Sequence, residues 1–574
     1  MGYDEAIIKL GDFGRYQKII YFLVCLTSIP VAFHKLAGVF LLAKPDFRCV
    51  LPFEEEGSGY ELSPHLWNLS YPPEGIMRTC SYYDVDYSEE YLNGSIPRSS
   101  NQTRDCSHYV YDQSTYLNSA VTEWNLVCGR AFMAATSDSL FMLGVFLGSI
   151  VFGQLSDKYG RKPILFASLV IQVLFGVLAG VAPEYFTYTL ARIMVGATTS
   201  GVFLVAYVIA LEMVGPAKRL YAGIFVMMFF SVGFMLTAAF AYFVHDWRWL
   251  QIALTLPGLI FLGYYWIIPE SGRWLITKGR KECVIANMQK AARFNKVEIS
   301  NEVLRELLDE GETAEDKAKQ KLEGQEQELR DEGPPPSVWD LFCYPNLRKK
   351  TLLIFLDWLV TSGVYYGLSW NPNTLGGNVL LNFVISGAVE IPAYIFLLLT
   401  LNRWGRRSIL CGCLVVAGLS LVVTVIIPEQ MHTLLVACAM LGKLAITASY
   451  GTVYIFSAEQ FPTVVRNVAL GAASMVARIS GMLAPFLSSL EIIWKPLPLL
   501  ICGTLSLAAG LLSLLLPETH NKPMLETIAD GERFGKKTKG DVYLEAGQEL
   551  RQTPEAQPLK GADSNGHAAN GQKF

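Results

Sequence analysis

The sequence predicts an all-α membrane protein of twelve transmembrane helices, built as two six-helix pseudo-repeats with a large loop after the first helix. Three observations lead there. Of the 574 residues 52% are hydrophobic and 17% charged, too apolar for an ordinary soluble domain. Twelve apolar runs approach the ~20 residues that a hydrocarbon core requires. They cover 19–43, 132–155, 163–182, 187–213, 221–244, 249–268, 351–370, 378–401, 408–427, 432–456, 467–489 and 494–516. Lastly, short motifs recur at a near-constant offset. The turn Gly153-Gln154-Leu155-Ser156-Asp157-Lys158-Tyr159-Gly160-Arg161-Lys162 follows the second run, and a weaker copy, Leu401-Asn402-Arg403-Trp404-Gly405-Arg406-Arg407, follows the eighth. Their Gly-Arg pairs stand 245 residues apart. Glu212 precedes Arg219 by seven residues, as Glu459 precedes Arg466. Pro269-Glu270-Ser271 leaves the sixth run and Pro517-Glu518-Thr519 the twelfth. A constant offset over half a chain marks duplication of one unit, and parallel six-helix repeats are a design of membrane carriers.

Orientation follows from Lys and Arg. Lys9, Arg15 and Lys18 precede the first run; Lys158, Arg161 and Lys162 follow the second; Lys218 and Arg219 follow the fourth. Arg273, Lys278, Arg280 and Lys281 follow the sixth, Arg348, Lys349 and Lys350 precede the seventh, and Arg403, Arg406 and Arg407 follow the eighth. The opposite ends are poor in positive charge, so both termini are expected on the cytoplasmic side. The segment before the first run lacks the short apolar core and small-residue site of a removable signal, so that run is expected to remain as an anchor.

Residues 44–130 are then extracellular. The three N-x-S/T sequons of the chain, at Asn68, Asn93 and Asn101, all fall there, which marks expected glycosylation sites. So do Cys49, Cys80, Cys106 and Cys128, expected as two disulfides in an oxidising compartment, with three pairings open. The other seven cysteines lie in spans or cytoplasmic loops. The expected organisation is a cytoplasmic N-terminus at 1–18, a six-helix bundle at 19–268, a cytoplasmic linker at 269–350, a second bundle at 351–516 and a disordered cytoplasmic tail at 517–574. Within the linker, Leu304–Arg330 is rich in Glu and Lys and reads as helix, broken by Pro334-Pro335-Pro336.

Several stretches together resemble a known family. Gly11-Asp12-Phe13-Gly14-Arg15-Tyr16-Gln17, Val121-Thr122-Glu123-Trp124-Asn125-Leu126-Val127-Cys128 and Asp246-Trp247-Arg248-Trp249-Leu250 resemble those of the organic cation, organic anion and carnitine transporters (solute carrier family 22) within the major facilitator superfamily. Pro269-Glu270-Ser271-Gly272-Arg273-Trp274-Leu275 resembles that family's P-E-S-P-R-W motif, with Gly272 in place of proline. Ala458-Glu459-Gln460-Phe461-Pro462-Thr463-Val464-Val465-Arg466-Asn467 matches another signature, with Gln460 where Leu is usual. The resemblance runs along nearly the whole chain. Gly367-Leu368-Ser369 and Val389-Glu390-Ile391-Pro392-Ala393-Tyr394 look most like the carnitine-type branch.

Ionisable groups inside a bilayer are costly, which makes each a functional candidate. Glu390 lies near the middle of span eight and Arg478 near the middle of span eleven, the depth at which carriers of this design hold cargo. A carboxylate there suits an ammonium group, and a guanidinium clamps a carboxylate. The resemblance implies more: simple-cation members carry an acid at the position of Arg478, while anion and carnitine members carry arginine. One negative and one positive group suit a zwitterion. The competing structural reading is that the two charges satisfy each other or their helix neighbours. Tyr365, Tyr366, Tyr450 and Tyr454 offer aromatic faces to an organic cation, although packing or an interfacial belt explains such residues as well, above all Trp370. Lys35 either faces a cavity or snorkels outward. Lys443 in span ten is a further unusual charge. His34 beside Lys35 is in a range to titrate near physiological pH, though a satisfied polar histidine is the commoner case. Arg192 and Gly196 resemble the superfamily's fourth-span motif. Asp157, Arg161, Glu212, Arg219, Glu459 and Arg466 read as an ion-pair network closing the inner side of both halves.

The sequence thus predicts a plasma-membrane secondary carrier working by alternating access on a small organic cation or zwitterion, such as carnitine or a related amine. The alternatives are an organic anion exchanger led by Arg478 and, from another class, a non-transporting receptor or scaffold. The coupling ion stays open between sodium, proton and none. No cofactor or metal is expected. Enzyme chemistry and nucleic-acid binding lack any motif to support them.

Overall fold

The structure is a computed structural model that describes residues 2–54, 59–72, 77–93, 96–97, 100–309, 338–372, 376–428, 430–522 and 525–535. Among them, eleven helical spans are long and apolar enough to cross a membrane, and a twelfth apolar helix is shorter. They are α1 (Arg15–Leu41), α2 (Phe132–Tyr159), α3 (Arg161–Gly180), α4 (Tyr185–Glu212), α5 (Arg219–Phe243), α6 (Trp247–Trp266), α7 (Pro345–Trp370), α8 (Val379–Trp404), α9 (Arg406–Thr424), α10 (His432–Gln460), α11 (Thr463–Ser489) and α12 (Leu497–Ser513). Each apolar run of the sequence became one of these, with the ends moved by a few residues. The last is shortened because Pro496 and Pro498 confine its start.

The buried apolar residues form two large clusters that follow the repeats. One draws on residues between Ala6 and Leu308 and takes in Phe383 of α8. The other spans Leu341 to Leu516 and takes in Phe141, Met142 and Val145 of α2 and Val195 of α4. These exceptions mark where the halves meet. Phe383 meets Phe40 of α1 and Phe234 of α5 edge to face, with ring centres 4.8 and 4.5 Å apart. Small residues let the helices inside a half close up. A Cβ at Gly144 or Gly148 of α2 would lie 2.1 Å from a backbone oxygen of α4, so this spacing admits only glycine.

The repeated Gly-Arg turns have one physical cause. Gly160 and Gly405 adopt φ of 116° and 84°, a region costly for residues with a Cβ. The carboxylates of Glu270 and Glu518, from the Pro-Glu repeats, sit against these glycines. Glu270 accepts from the backbone N–H of Arg161 (2.9 Å) and Lys162 (3.2 Å). Glu518 accepts from Arg406 (2.9 Å) and Arg407 (3.1 Å). The acid that ends each half therefore caps the N-terminus of that half's third helix, where unpaired N–H groups and the helix dipole favour an anion.

Between α1 and α2 stand two small antiparallel sheets, pairing Phe47–Cys49 with Tyr109–Tyr111 and Ser81–Tyr83 with Thr103–Asp105. Of the three pairings left open, the structure has Cys49–Cys106 and Cys80–Cys128. Arg48 is fully buried and held by both oxygens of Glu54 at 2.7 Å. The two sequence words around Trp124 and Trp247 prove to be a single contact. Trp124 packs on Tyr185, Tyr188 and Trp247, and Glu123 accepts from Arg248 (2.5 Å) and the Trp247 indole (2.8 Å). Partial burial works against the charge on Glu123, but these donors hold its carboxyl below the usual range.

Gly272, which replaces the usual proline, faces Tyr3 of the N-terminal helix Gly2–Lys9. A Cβ there would lie 2.4 Å from the tyrosine ring, so the substitution makes room for that helix. Gln460, the other departure, donates to the carbonyl of Pro517 at 2.5 Å. The chain stays ordered past Pro517, against the expectation of a disordered tail from there. Thr463 donates to the carbonyl of Leu525 (2.9 Å) and Asn346 to Glu532 (2.9 Å). Residues 536–574, and the part of the expected linker helix beyond 309 with its proline run, lie outside the described residues. The described residues up to Glu532 form one compact unit.

Candidate functional site

Glu390 owes its position to a proline. Pro392 cannot donate to the carbonyl of Ala388, and α8 accordingly breaks at Val389 and restarts with Glu390. The carboxylate is fully buried. It accepts from Ser231 of α5 at 2.6 Å and from the Tyr365 hydroxyl of α7 at 2.7 Å, and pairs with the Lys443 ammonium of α10 at 3.2 Å. Lys443 is 1% exposed. Its ammonium lies 3.5 Å from the centre of the Tyr365 ring and 5.6 Å from that of Phe234, and it donates to the Ser369 hydroxyl. One buried charge pair thus ties three helices of the second half to α5 of the first. The expectation that Glu390 might pair with Arg478 is replaced by a pair with Lys443.

Arg478 makes no hydrogen bond or ion pair among the described residues, and it is only half-buried. It stands one turn before Gly481, which packs against the Tyr366 ring. Lys35 is also half-buried and turns inward instead of snorkelling: its ammonium is 5.1 Å from the Tyr366 ring centre and 5.7 Å from that of Phe230. The predicted aromatic residues form one ladder, which Trp358, not singled out by the sequence, extends. Trp358, Tyr454, Tyr450, Tyr365, Tyr366 and Trp370 follow in neighbouring contacts, with ring centres between 4.3 and 5.7 Å apart. Its last member, Trp370, donates its indole N–H to the carbonyl of Lys35 at 3.3 Å, so an expected belt residue links the halves. These contacts join six of the seven expected cargo residues, on α1, α7, α8 and α10, and Arg478 stands on neighbouring α11.

Three contributors escaped the sequence reading. Asp138 in α2 pairs with buried Arg192 of α4 at 3.5 Å, and Arg192 also donates to the carbonyl of His34 at 3.1 Å. Asp357 in α7 is 1% exposed and bonds Ser513 of α12 at 2.5 Å. Ser231 completes the shell of Glu390. An acid inside an apolar run was the signal for the two aspartates. No sequence signal marks Ser231, which a serine-tolerant helix face conceals.

At the helix ends that carry the repeated Gly-Arg turns, the predicted network exists in part. Arg161 pairs with Asp157 and lies 4.0 Å from Glu212, and Arg406 pairs with Glu459 at 3.3 Å. The acids are in turn bound by hydroxyls at matching places: Ser271 donates to Glu212 and Thr519 to Glu459, each at 2.5 Å. Arg219, expected in the same network as Glu212, pairs outside it. The turn around Pro216 separates the two, and Arg219 reaches Asp4 of the N-terminal helix at 2.6 Å, which Arg273 also holds. Burial opposes the charge on Asp4, yet these two guanidinium groups keep its carboxyl below the ordinary value. Arg466 donates to the carbonyl of Phe461 at 3.2 Å. The ion pairs among these residues lie within each half. Asn68, Asn93 and Asn101 are exposed on the loop between α1 and α2. Among the described residues no group of three or more metal-ligating side chains is present.

Two six-helix repeats meeting over a set of buried charges define a membrane transporter of the major facilitator fold. A solved structure of the xylose transporter XylE from E. coli, in a partially occluded inward-open conformation, shares this fold with a TM-score of 0.56 at 15% identity, covering 89% of this chain and 100% of its own. Residues 89–528 match the family described as sugar (and other) transporter. The chain is 86% identical to an organic cation transporter-like protein of Drosophila melanogaster over the whole of both chains. It is 33% identical to human solute carrier family 22 member 13, over 92% of this chain and 93% of that one. It is also 33% identical to a beta-alanine transporter of Drosophila melanogaster, over 93% and 89%. The chain belongs to the organic cation, carnitine and organic anion transporter family, solute carrier family 22.

Proposed function

We propose that the protein is a plasma-membrane carrier of small zwitterions and organic cations, working by alternating access with both termini in the cytoplasm. The observation that carries this reading is the charge balance of the central site. Among the described residues Glu390 is the one acid there, against Lys35, Lys443 and Arg478. A cargo with both charges satisfies it best: its carboxylate meets the uncommitted guanidinium of Arg478, bidentate in the favourable case, and its ammonium lies on the tyrosine faces near Glu390. The names of two relatives support this, one an organic cation transporter-like protein and the other a transporter of beta-alanine, which is a zwitterion. Carnitine has the same two charges. The bundles at 19–268 and 351–516 are the rocking bodies in this account. The Arg161 and Arg406 clusters remake their partners as the inner side opens and closes, and the three exposed asparagines of the outer loop carry glycans.

A second reading keeps one observation in its favour. Lys35 and Arg478 both lack an acidic partner among the described residues, which suits an organic anion. Uptake of labelled carnitine, a simple quaternary ammonium ion and an organic carboxylate by cells expressing wild type, Glu390→Gln or Arg478→Asp separates these readings. The zwitterion is expected to enter through wild type, to be lost in Glu390→Gln, and to give way to the bare cation in Arg478→Asp. Uptake of the carboxylate alone by wild type would establish the anion reading. Wild-type behaviour in both variants at equal surface level would show the charges to be structural.

A further inference from the structure

We infer that Lys443 is a built-in occupant of the cargo's ammonium subsite, and that transport of an ammonium-bearing cargo requires this lysine to be displaced from Glu390. The inference rests on the reading of the central site as a cargo site and goes further in saying what fills it in the structure seen here.

The surroundings of the Lys443 ammonium are those that recognise an organic cation. They comprise a carboxylate oxygen of Glu390 at 3.2 Å, the face of Tyr365 at 3.5 Å, the ring of Phe234 at 5.6 Å, the carbonyl of Tyr365 at 3.4 Å and the hydroxyl of Ser369. A carboxylate with aromatic faces is how proteins take up ammonium groups. Here the group is delivered by a four-carbon stem from α10 and sealed to 1% exposure. A tethered ligand competes at an effective concentration in the millimolar range or above. A free ammonium thus meets a site whose only acid among the described residues is already paired.

The wider geometry makes displacement consequential. Ser231 and Phe234 come from the first half, while Tyr365, Ser369, Glu390 and Lys443 come from the second. While Lys443 holds Glu390, the carboxylate is also bonded across the halves to Ser231 at 2.6 Å. A cargo that takes Lys443's place disturbs the one buried charge that bridges α5 and α8. Ammonium recognition and the relative movement of the halves are coupled through the same carboxylate. The released lysine adds its charge to those of Lys35 and Arg478, so a cargo carboxylate favours the released state. A zwitterion does both jobs and a bare cation only one, which is how Lys443 sets specificity.

Binding to purified full-length protein tests this with two probes, tetramethylammonium and an organic carboxylate without an amine. Lys443→Arg keeps the charge and the fold but engages Glu390 in a two-pronged pair that is harder to displace. It is expected to weaken tetramethylammonium binding tenfold or more with carboxylate binding within twofold of wild type. In Lys443→Gln the tethered competitor is gone, and tetramethylammonium is expected to bind tenfold or more tightly, a gain that Glu390→Gln/Lys443→Gln abolishes. If Lys443→Gln fails to fold, the Arg variant and the double variant, which has no unpaired buried charge, still decide the matter. An equal effect of Lys443→Arg on both probes, or its wild-type binding of both, overturns the displacement and leaves Lys443 as a strut. If wild type itself binds no ammonium, carboxylate or zwitterion, it is the cargo-site reading that falls.

Discussion

Replacing Glu390 by glutamine should destabilise the protein more than any other isosteric change in the membrane region. The carboxylate is 0% exposed and serves three donors, Ser231 at 2.6 Å, Tyr365 at 2.7 Å and Lys443 at 3.2 Å. An amide presents one acceptor oxygen and two hydrogens in the same place, so at least one donor loses its partner. More seriously, the Lys443 ammonium keeps its burial and loses its counter-charge. Breaking one side of such a pair costs about 3–5 kcal/mol, while replacing both sides by neutral groups is often close to neutral. The expected pattern is therefore non-additive. Glu390→Gln and Lys443→Gln each lose about 3–5 kcal/mol, and Glu390→Gln/Lys443→Gln loses about 2 kcal/mol or less, a coupling of several kcal/mol. Thermal unfolding of the purified protein in detergent, followed by tryptophan fluorescence for all four proteins, gives the cycle. If the double variant is destabilised by the sum of the singles, Glu390 and Lys443 do not depend on each other and the argument from their pairing is wrong.

Other expectations follow from the same physics. Glu270→Gln and Glu518→Gln remove an anion that caps α3 and α9 through two backbone N–H groups each. Each is expected to cost about 1–2 kcal/mol by thermal unfolding, with similar losses in the two halves; a loss in one half alone would deny the equivalence of the turns. Asp4 anchors the N-terminal helix to Arg219 and Arg273. Because its folded-state pKa is lowered, its contribution is complete above the ordinary aspartate range and fades as pH falls below about 4. Limited proteolysis is expected to release the N-terminal helix only in that acid window in wild type, and at neutral pH in Asp4→Asn. Cys80→Ser/Cys128→Ser opens a loop of 48-residue separation and should cost about 2–4 kcal/mol; unchanged thermal stability would show that the packing of Trp124 on α4 and α6 suffices without it.

How far the sequence could be read depends on whether a feature is local. The helices were legible because each span carries its own apolar run, and the repeat was legible because Gly160 and Gly405 obey the same backbone constraint. Four cysteines and three sequons marked the loop between the first two spans, but the pairing Cys49–Cys106 and Cys80–Cys128 depends on strand register, which short strands of three residues do not advertise. Tyr365, Glu390 and Lys443 were each visible as polar or aromatic residues in spans. That Lys443 and not Arg478 meets Glu390 follows from the break at Pro392 and the packing of four helices, which no spacing encodes. Arg219 shows the same limit: the sequence put it in one network with Glu212, and the docked N-terminal helix offered Asp4 instead. Asp138 and Asp357 were legible by the rule that singled out Glu390, since each is an acid inside an apolar run.

The central claim is that the cargo is recognised at both ends, by Arg478 and by the Glu390 cage. The most direct test is binding of carnitine, its methyl ester and a carboxylate analogue lacking the ammonium to purified wild-type protein by isothermal titration. Carnitine is expected to bind at least tenfold more tightly than either single-charge analogue, a difference of about 1.4 kcal/mol or more. Equal binding of the methyl ester would remove Arg478 from recognition, and equal binding of the amine-free analogue would remove Glu390.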